Sequence, residues 1–332
     1  MAAMRERAGT GERRAAPSAR AFVSLDELLR LKHRAKGFSF LPRQPVHSLL
    51  IGRHASRLRG RGLNFEELRH YFEGDDTRSI DWRATARLGS PHVRVYSEER
   101  DRPVLLLVDQ RSSMFFGSRH CMKSVAAAEA AALAAWRVTS LGDRIGAVVF
   151  GDERIVEIKP QGRDAGAIRV LSEVVRQNRL LGAPGDGAPG QLDEALRRAA
   201  RSATHDWLVC LISDAAGAGE DTARLVTRIC AHNDVLSIYV HDPLEHDLPD
   251  VGQAVFASGA GQIEVDSSAR DLRRRFAAEH AAWRAGLADL SRRREIPVLP
   301  IATDRDVATQ LRELIGKRLD RRAAAVQGGE RR

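Results

Sequence analysis

The sequence predicts an α/β protein: a doubly wound, mostly parallel sheet covered by helices, with a small β-rich module in front of it. Three features carry that expectation. From Pro103 onward, short apolar runs alternate with longer helical stretches, the rhythm of repeated strand–helix units. Residues 104–109 and 207–214 are continuous apolar runs rather than alternating ones, as strands buried on both faces read. Both runs end in an aspartate, Asp109 and Asp214. In such sheets ligands sit outside the carboxyl ends of the strands, so these two acids mark the candidate edge.

The elements follow in order. Residues 1–20 read as a flexible basic leader. Ser24 is placed to cap a short helix running through Leu31, with Asp26 and Glu27 in its first turn. Pro42 and Pro45 break the pattern, and glycines at 52, 60, 62, 74 and 89 punctuate the stretch that follows. Residues 92–96 alternate apolar and polar, as a half-buried strand does. After the strand at 104–109 come a helix over 119–140, a strand over 144–150 and a weaker edge strand over 154–158. Helices near 163–178 and 191–203 flank a mobile loop of Gly, Ala and Pro at 182–190. Then follow a strand to Asp214, a helix over 220–232, a strand over 235–241, a long basic helix over 269–294, a strand over 296–301 and a helix over 304–317. The expected division is therefore 1–20 leader, 21–100 N-terminal helix and module, 101–317 α/β domain and 318–332 disordered tail.

Composition narrows the function. With 43% hydrophobic and 29% charged residues, the 332-residue chain can bury a sizeable core, which excludes wholesale disorder. The net charge of +9 is unevenly placed: residues 1–100 carry 20 Lys and Arg against 12 Asp and Glu, whereas 101–312 carry 27 against 29. A nearly neutral α/β body argues against a nucleic-acid groove on it. The abundance of Ala and Arg reads as compositional bias. Cys121, Cys210 and Cys230 form no metal- or redox-type spacing, which suits buried thiols in a reducing compartment. No apolar run approaches the ~20 residues of a membrane helix, and the leader lacks a secretory apolar region. No membrane insertion and a cytoplasmic location are expected.

The first functional constellation is Asp109-Gln110-Arg111-Ser112-Ser113 after one core strand and Asp214 after another. It resembles the metal-ion-dependent adhesion site of von Willebrand factor A domains, a Rossmann-like family with an Asp-x-Ser-x-Ser turn, a Thr from a second loop and an Asp from a third. The resemblance implies Mg²⁺ held by Asp109, Ser113 and Asp214, with one position open to a partner's carboxylate. Two departures stand against it. Arg111 replaces the first Ser, and Pro189, Gly190 and Gln191 stand where a Thr is expected. A guanidinium here can take the place of the cation and pair with both carboxylates; pointed to solvent, it can bind a partner's acid. The bland alternative is that both aspartates simply cap the turns that follow their strands.

The second constellation is longer. Gly60, Gly62, Phe65, Arg69, Tyr71, Gly74, Asp75, Asp76, Arg78, Ile80, Asp81, Trp82, Ala86 and Arg87 fit the pattern G-x-G-x-x-F-x-x-x-R-x-Y-x-x-G-D-D-x-R-x-I-D-W-x-x-x-A-R. This pattern resembles the signature of domain-of-unknown-function family 58, whose members carry a von Willebrand A-like domain after it. The resemblance spans about residues 45–310. It implies a non-catalytic adaptor or chaperone cofactor working with a MoxR-type AAA+ ATPase, with its client protein, or with both. The residues themselves allow two readings. Ion pairs among the acids and arginines can hold a small module whose core is Phe65, Tyr71, Ile80 and Trp82. Alternatively Arg69, Tyr71, Asp75, Asp76, Arg78, Asp81, Trp82 and Arg87 form a docking surface, since Arg, Tyr and Trp dominate interface hot spots.

Other chemistry finds less support. Residues 182–190 lack the Lys-Ser/Thr ending of a phosphate loop. Ser113 has no nucleophile-elbow context. His241, Asp242, Glu245, His246 and Asp247 have the residue types of a transition-metal site, but a polar loop explains them as well. A basic nucleic-acid-binding protein is the second functional reading, and a metal-dependent hydrolase using Asp75, Asp76 and Asp81 is a remote third.

Overall fold

The computed structural model describes residues 19–35, 63–72, 75–98, 103–182, 188, 190–246, 248–258 and 261–315. Nearly all of the expected leader, the glycines at 52, 60, 62 and 74, most of the loop at 182–190, and the tail lie outside them. The chain divides into two units: residues 1–41 with 103–332, and residues 42–102.

The larger unit begins with α1 (Leu25–Arg30), which starts as its sequence predicts. Ser24 Oγ accepts from the Glu27 N–H at 3.3 Å, and Glu27 accepts from the Ser24 N–H at 2.7 Å, a reciprocal capping box. Leu28 is fully buried, and its carbonyl accepts from the Trp136 indole at 3.0 Å. The Val23 N–H donates to the Asn178 side chain at 3.0 Å. This helix therefore belongs to the larger unit, which corrects its grouping with the module at 21–100. A short capped helix must bury its apolar face somewhere, and Trp136 and Asn178 lie in the α/β body.

The smaller unit is built on β1 (Leu63–His70) and β2 (His92–Glu98), paired antiparallel with an irregularity between Phe65 and Glu67. Between them lies α2 (Trp82–Leu88). Asp81 starts it by accepting from the N–H groups of Arg83 and Ala84 at 3.0 and 3.1 Å. Gly89 ends it at φ +74°, a left-handed cap that favours glycine.

The rest of the larger unit runs β3 (Val104–Asp109), α3 (Lys123–Ser140), β4 (Ile145–Phe150), β5 (Ile155–Gln161), α4 (Arg163–Asn178), α5 (Gly190–Ser202), β6 (Leu208–Ser213), α6 (Glu220–Cys230) and β7 (Asp234–His241). A hairpin of β8 (Gln253–Ser258) and β9 (Gly261–Asp266) follows, then α7 (Arg270–Arg293), β10 (Val298–Ala302) and a helix over 307–315. Six strands form one sheet in the order β10-β7-β6-β3-β4-β5. All neighbours are parallel except β4 and β5. Every residue of β3 and β4 is buried, as their continuous apolar runs require, while β5 alternates at the edge. The winding starts at β3, moves out to β5, then restarts at β6 and moves out to β10. Its reversal point thus lies between the carboxyl ends of β3 and β6.

Helices cover both faces. One face carries α1, α3, α4 and the final helix, the other α5 and α6. Of the 18 residues in α3, 14 are buried, and eight of those are alanines. The alanine excess that composition alone leaves as bias has a packing cause here. This helix is covered on the sheet side and again by α1 and α4, and only small side chains allow close approach on both. All three cysteines are free thiols, and burial pushes Cys121 and Cys210 up to about 12 and Cys230 to about 11. Among the described residues, no helix is long and apolar enough to cross a membrane.

Packing at α3 predicts a local asymmetry. Ala131→Leu, at a fully buried site, should cost about 1–3 kcal/mol by overpacking. Ala282→Leu, on the exposed face of α7, should stay within about 0.5 kcal/mol of the parent. Urea unfolding measures both, and equal effects would contradict the packing account.

Candidate functional site

The reversal point gathers ionised side chains from five parts of the chain. Asp109 closes β3 with no exposed surface, level with Phe150 at the end of β4. Two residues later Arg111 folds back onto it. The Arg111 N–H and Nε donate to Asp109 Oδ1 at 3.1 and 3.0 Å, and Nη2 donates to Oδ2 at 2.7 Å. This is the bidentate fork that makes arginine a strong carboxylate partner. Ser213 Oγ donates to the same Oδ2 at 2.6 Å, and Arg111 Nη1 donates to the Ala216 carbonyl at 3.1 Å. The guanidinium carbon lies 5.6 Å from the centre of the Phe150 ring, and Arg111 is only 2% exposed.

Asp214 sits one residue past β6 and holds a second pair. Lys123 Nζ, at the first residue of α3, donates to Asp214 Oδ2 at 2.8 Å and also to Glu245. The Ala216 N–H donates to Asp214 Oδ1 at 2.9 Å. Arg111 Nη2 is 3.7 Å from that oxygen and Ser113 Oγ 3.5 Å, so Arg111 lies between the two aspartates. Asp152, just after β4, accepts from the Ser112 N–H at 3.0 Å and adds a third carboxylate near Arg111.

Burial pushes the Asp109 carboxyl up, against the pull of the Arg111 guanidinium. Burial would raise Asp214 too, but Lys123 outweighs it and holds Asp214 below the usual carboxylate range. Lys123 itself is raised: burial opposes its charge, and Asp214 and Glu245 more than offset that.

As arranged, these oxygens do not make a Mg²⁺ site. A hard divalent ion needs several oxygens turned to one point at about 2.0–2.1 Å. Both Asp109 oxygens face Arg111, one Asp214 oxygen faces Lys123, and Ser113 is turned to Asp214. At the expected Thr position, Gln191 Nε2 donates to the Asp152 carbonyl instead. Of the two geometries open to Arg111, the inward one is found. The solvent-facing alternative, in which Arg111 itself meets a partner, is corrected by its burial.

The signature residues divide differently. Asp75 accepts from both Nη1 and Nη2 of Arg69 at 2.7 Å, and from the Phe72 N–H at 2.9 Å. Asp76 accepts from the Arg78 N–H at 3.0 Å and caps the turn Thr77–Ser79. Asp81 caps α2. The three acids thus have separate local tasks. Tyr71 is half-buried and its N–H donates to the Pro91 carbonyl at 2.9 Å. Trp82 is not core, as expected above, but 69% exposed, because α2 buries Ala84 instead. Arg78 and Arg87 are exposed as well, and the Phe65 side chain lies outside the described residues.

Sequence reading missed Lys123 as a site residue. One signal was present: a lysine in the first turn of a helix opposes the helix dipole and calls for a compensating acid. Glu245 was grouped with a histidine-rich loop, and its pairing across 122 residues left no local trace.

Lys123→Met should therefore destabilise the fold by about 3–5 kcal/mol, by leaving the buried Asp214 charge with less compensation. Because the folded Asp214 is depressed, its contribution is full above about pH 4 and is lost as pH falls below that. The gap between parent and variant, measured by urea unfolding, should close toward acid. A loss under about 1 kcal/mol at neutral pH would show that the pair is not what holds the edge.

Among comparisons with known proteins, the family model matches a narrower stretch than the 45–310 expected from the signature, beginning at Glu67. An uncharacterized protein of Mycobacterium tuberculosis (strain H37Rv) is 32% identical over 278 residues, covering 83% of this chain and 86% of that one. An uncharacterized protein of Mycobacterium bovis matches to the same degree, 32% over 278 residues with the same coverage. Among solved structures, the conserved hypothetical protein BatB from Bacteroides thetaiotaomicron aligns over 65% of this chain and 98% of its own, at 15% identity and a TM-score of 0.40. An aerotolerance-related membrane protein from Bacteroides fragilis aligns over 66% and 99%, at 14% identity and a TM-score of 0.38. Likeness at that level says nothing about function. The family model described as "Protein of unknown function DUF58" matches residues 67–286, about two thirds of the sequence, and the chain belongs to that family.

Proposed function

We propose that the protein is a non-catalytic, cytoplasmic interaction adaptor whose larger unit is von Willebrand factor A-like. Its partner in this reading is a MoxR-type AAA+ ATPase, the client of that ATPase, or both. The supporting observation is the carboxyl edge of the sheet. At its reversal point, where such sheets meet ligands, two buried carboxylates are already paired with Arg111 and Lys123. Arg111 and Lys123 take the role that a divalent ion has in the adhesion-site resemblance. Held in this way the edge keeps its shape without Mg²⁺, and the half-buried Ser113, Tyr239 and Glu245 beside the pairs are the groups a partner would meet. Ser113 suits binding better than nucleophilic attack, because the carboxylate 3.5 Å from it is bound to Lys123.

The smaller unit supplies the second contact surface. Trp82, Arg78 and Arg87 are exposed there and have the chemistry of interface anchors. The nucleic-acid reading draws less support. It rests on the Arg-rich stretch 43–69 and the basic tail, most of which lie outside the described residues, while arginines of the long basic helix α7 engage nearby acids: Arg273 with Asp250, Arg274 with Asp271, and Arg293 with Asp289. The hydrolase reading fares no better, given the separate local roles of Asp75, Asp76 and Asp81.

Affinity capture of the tagged full-length chain from its native host, in Mg²⁺ and again in EDTA, tests this. Mass spectrometry should recover a MoxR-type ATPase in both buffers. Trp82→Ala combined with Arg87→Glu should reduce recovery about tenfold or more with circular dichroism unchanged. Recovery in Mg²⁺ alone would restore a metal at Asp109, Ser113 and Asp214. Nucleic acid without an ATPase would support the basic-protein reading instead.

A further inference from the structure

Beside the carboxylate edge stands a column of three histidines from three elements. His241 ends β7, His246 follows the turn Pro243–Glu245, and His280 lies in α7. The His246 ring is the middle one, 4.5 Å from the His241 ring and 4.8 Å from the His280 ring, centre to centre. Its Nε2 meets His241 Nδ1 at 2.9 Å, and its Nδ1 meets His280 Nδ1 at 3.3 Å. His246 thus offers opposite nitrogens to its two neighbours. The three rings form a string rather than a set of ligands aimed at one point, and among the described residues no group of His, Cys, Asp and Glu is arranged to hold a metal ion.

Proton counting defines what the string tolerates. A neutral imidazole has one N–H donor and one bare nitrogen acceptor. With all three rings neutral, each of the two contacts can hold one proton, His246 donating on one side and accepting on the other. One extra proton also fits, because a charged His246 donates both ways. A second extra proton does not fit: it puts charge on two touching rings, or charges both outer rings and leaves one contact with N–H facing N–H.

The string is tied to the carboxylate edge by the turn it grips. Glu245 is in that turn and pairs with Lys123, which pairs with Asp214. A cleft of about 330 Å³ is lined by Ser113, Lys123, Asp214, Tyr239, Glu245 and His280, so the column reaches its wall through His280. We propose that the histidine column is an acid-sensitive latch. Neutral, it holds the Pro243–Glu245 turn against α7 and keeps Glu245 on Lys123. Charged, it releases the turn, frees Lys123 from Glu245 and opens the cleft.

The surrounding groups set the direction. Arg284 of α7 disfavours charge on all three rings, and Lys123 of α3 disfavours it on His280. Glu245 favours it on His246 and His280, Asp242 on His241 and His246, and Asp304 beyond β10 on His241; Tyr239 stacks on His241. Burial is the largest influence on each ring. It lowers His241 to about 4 and lowers His246 and His280 as well. For a histidine whose folded value is depressed, the unfolded or opened form binds protons first. The latch is therefore fully closed above about pH 6.5 and weakens as pH falls from there toward 4. This holds whether or not the cleft meets an ATPase.

Amide hydrogen exchange of the full chain at pH 7.5 and pH 5, corrected for intrinsic exchange, reads the latch directly. The Glu245 and His246 amides are bonded within the turn at 3.0 and 3.1 Å and report on it. Their protection should fall about tenfold or more at the lower pH, together with α7 near His280. His246→Gln keeps a donor and an acceptor but cannot titrate, and should lose most of that pH dependence. Equal protection at both pH values, or an undiminished response in the variant, would overturn the proposal. Ring titration of the wild-type chain by NMR gives an independent reading. All three histidines should titrate below about 6.5 with mutually dependent curves. An independent titration of His246 at or above 6.5 would overturn it too.

Discussion

The buried fork between Arg111 and Asp109 is the constraint around which the carboxyl edge is organised. A carboxylate with no exposed surface is strongly unfavourable unless a cation and several donors meet it. Arg111 is the nearest cation in sequence, and the turn after β3 is short enough for its guanidinium to fold back onto both oxygens. That placement puts a positive charge at the reversal point of the sheet. It accounts for the Ser213 hydroxyl and the Ala216 carbonyl turned toward the pair, and for the Phe150 ring packed against it.

A second pair extends the first across the fold. Asp214 is drawn toward Arg111 but bonded to Lys123, which reaches on to Glu245. Four chain segments are joined in this way: the turn after β3, the start of α3, the loop after β6 and the turn after β7. Buried ion pairs contribute little net stability against well-packed apolar alternatives. What these pairs do is fix the relative positions of the segments they join. The histidine column grips the last of these segments and places a titratable element next to a network that is otherwise insensitive near neutral pH.

Much of this architecture was legible in the sequence. The continuous runs at 104–109 and 207–214 became the two central strands, and β5 took the edge that its weaker pattern implied. Asp109, Asp214 and the intrusion of Arg111 were visible because they lie within a few residues of a strand end. Lys123, Glu245 and Asp152 were not, because their partners lie 40 to 122 residues away and no periodicity records such pairings. The hairpin of β8 and β9 was missed, although its strands are as long as β3 and β6; only small residues separate them. In the smaller unit, Trp82 was assigned to a core on residue type alone, whereas the capped helix that begins with it buries a different face.

The central claim is that Arg111 and Lys123 supply in the chain itself the positive charge that a divalent ion would bring. Thermal unfolding of the wild-type protein in EDTA and in millimolar Mg²⁺ tests it most directly, with Arg111→Ser as the contrast. Any ion bound only by the folded state must raise the midpoint as its concentration rises. The account predicts an unchanged midpoint for the wild type and a Mg²⁺-dependent rise for Arg111→Ser, where Asp109 has lost its guanidinium. A Mg²⁺-dependent rise in the wild type would contradict it.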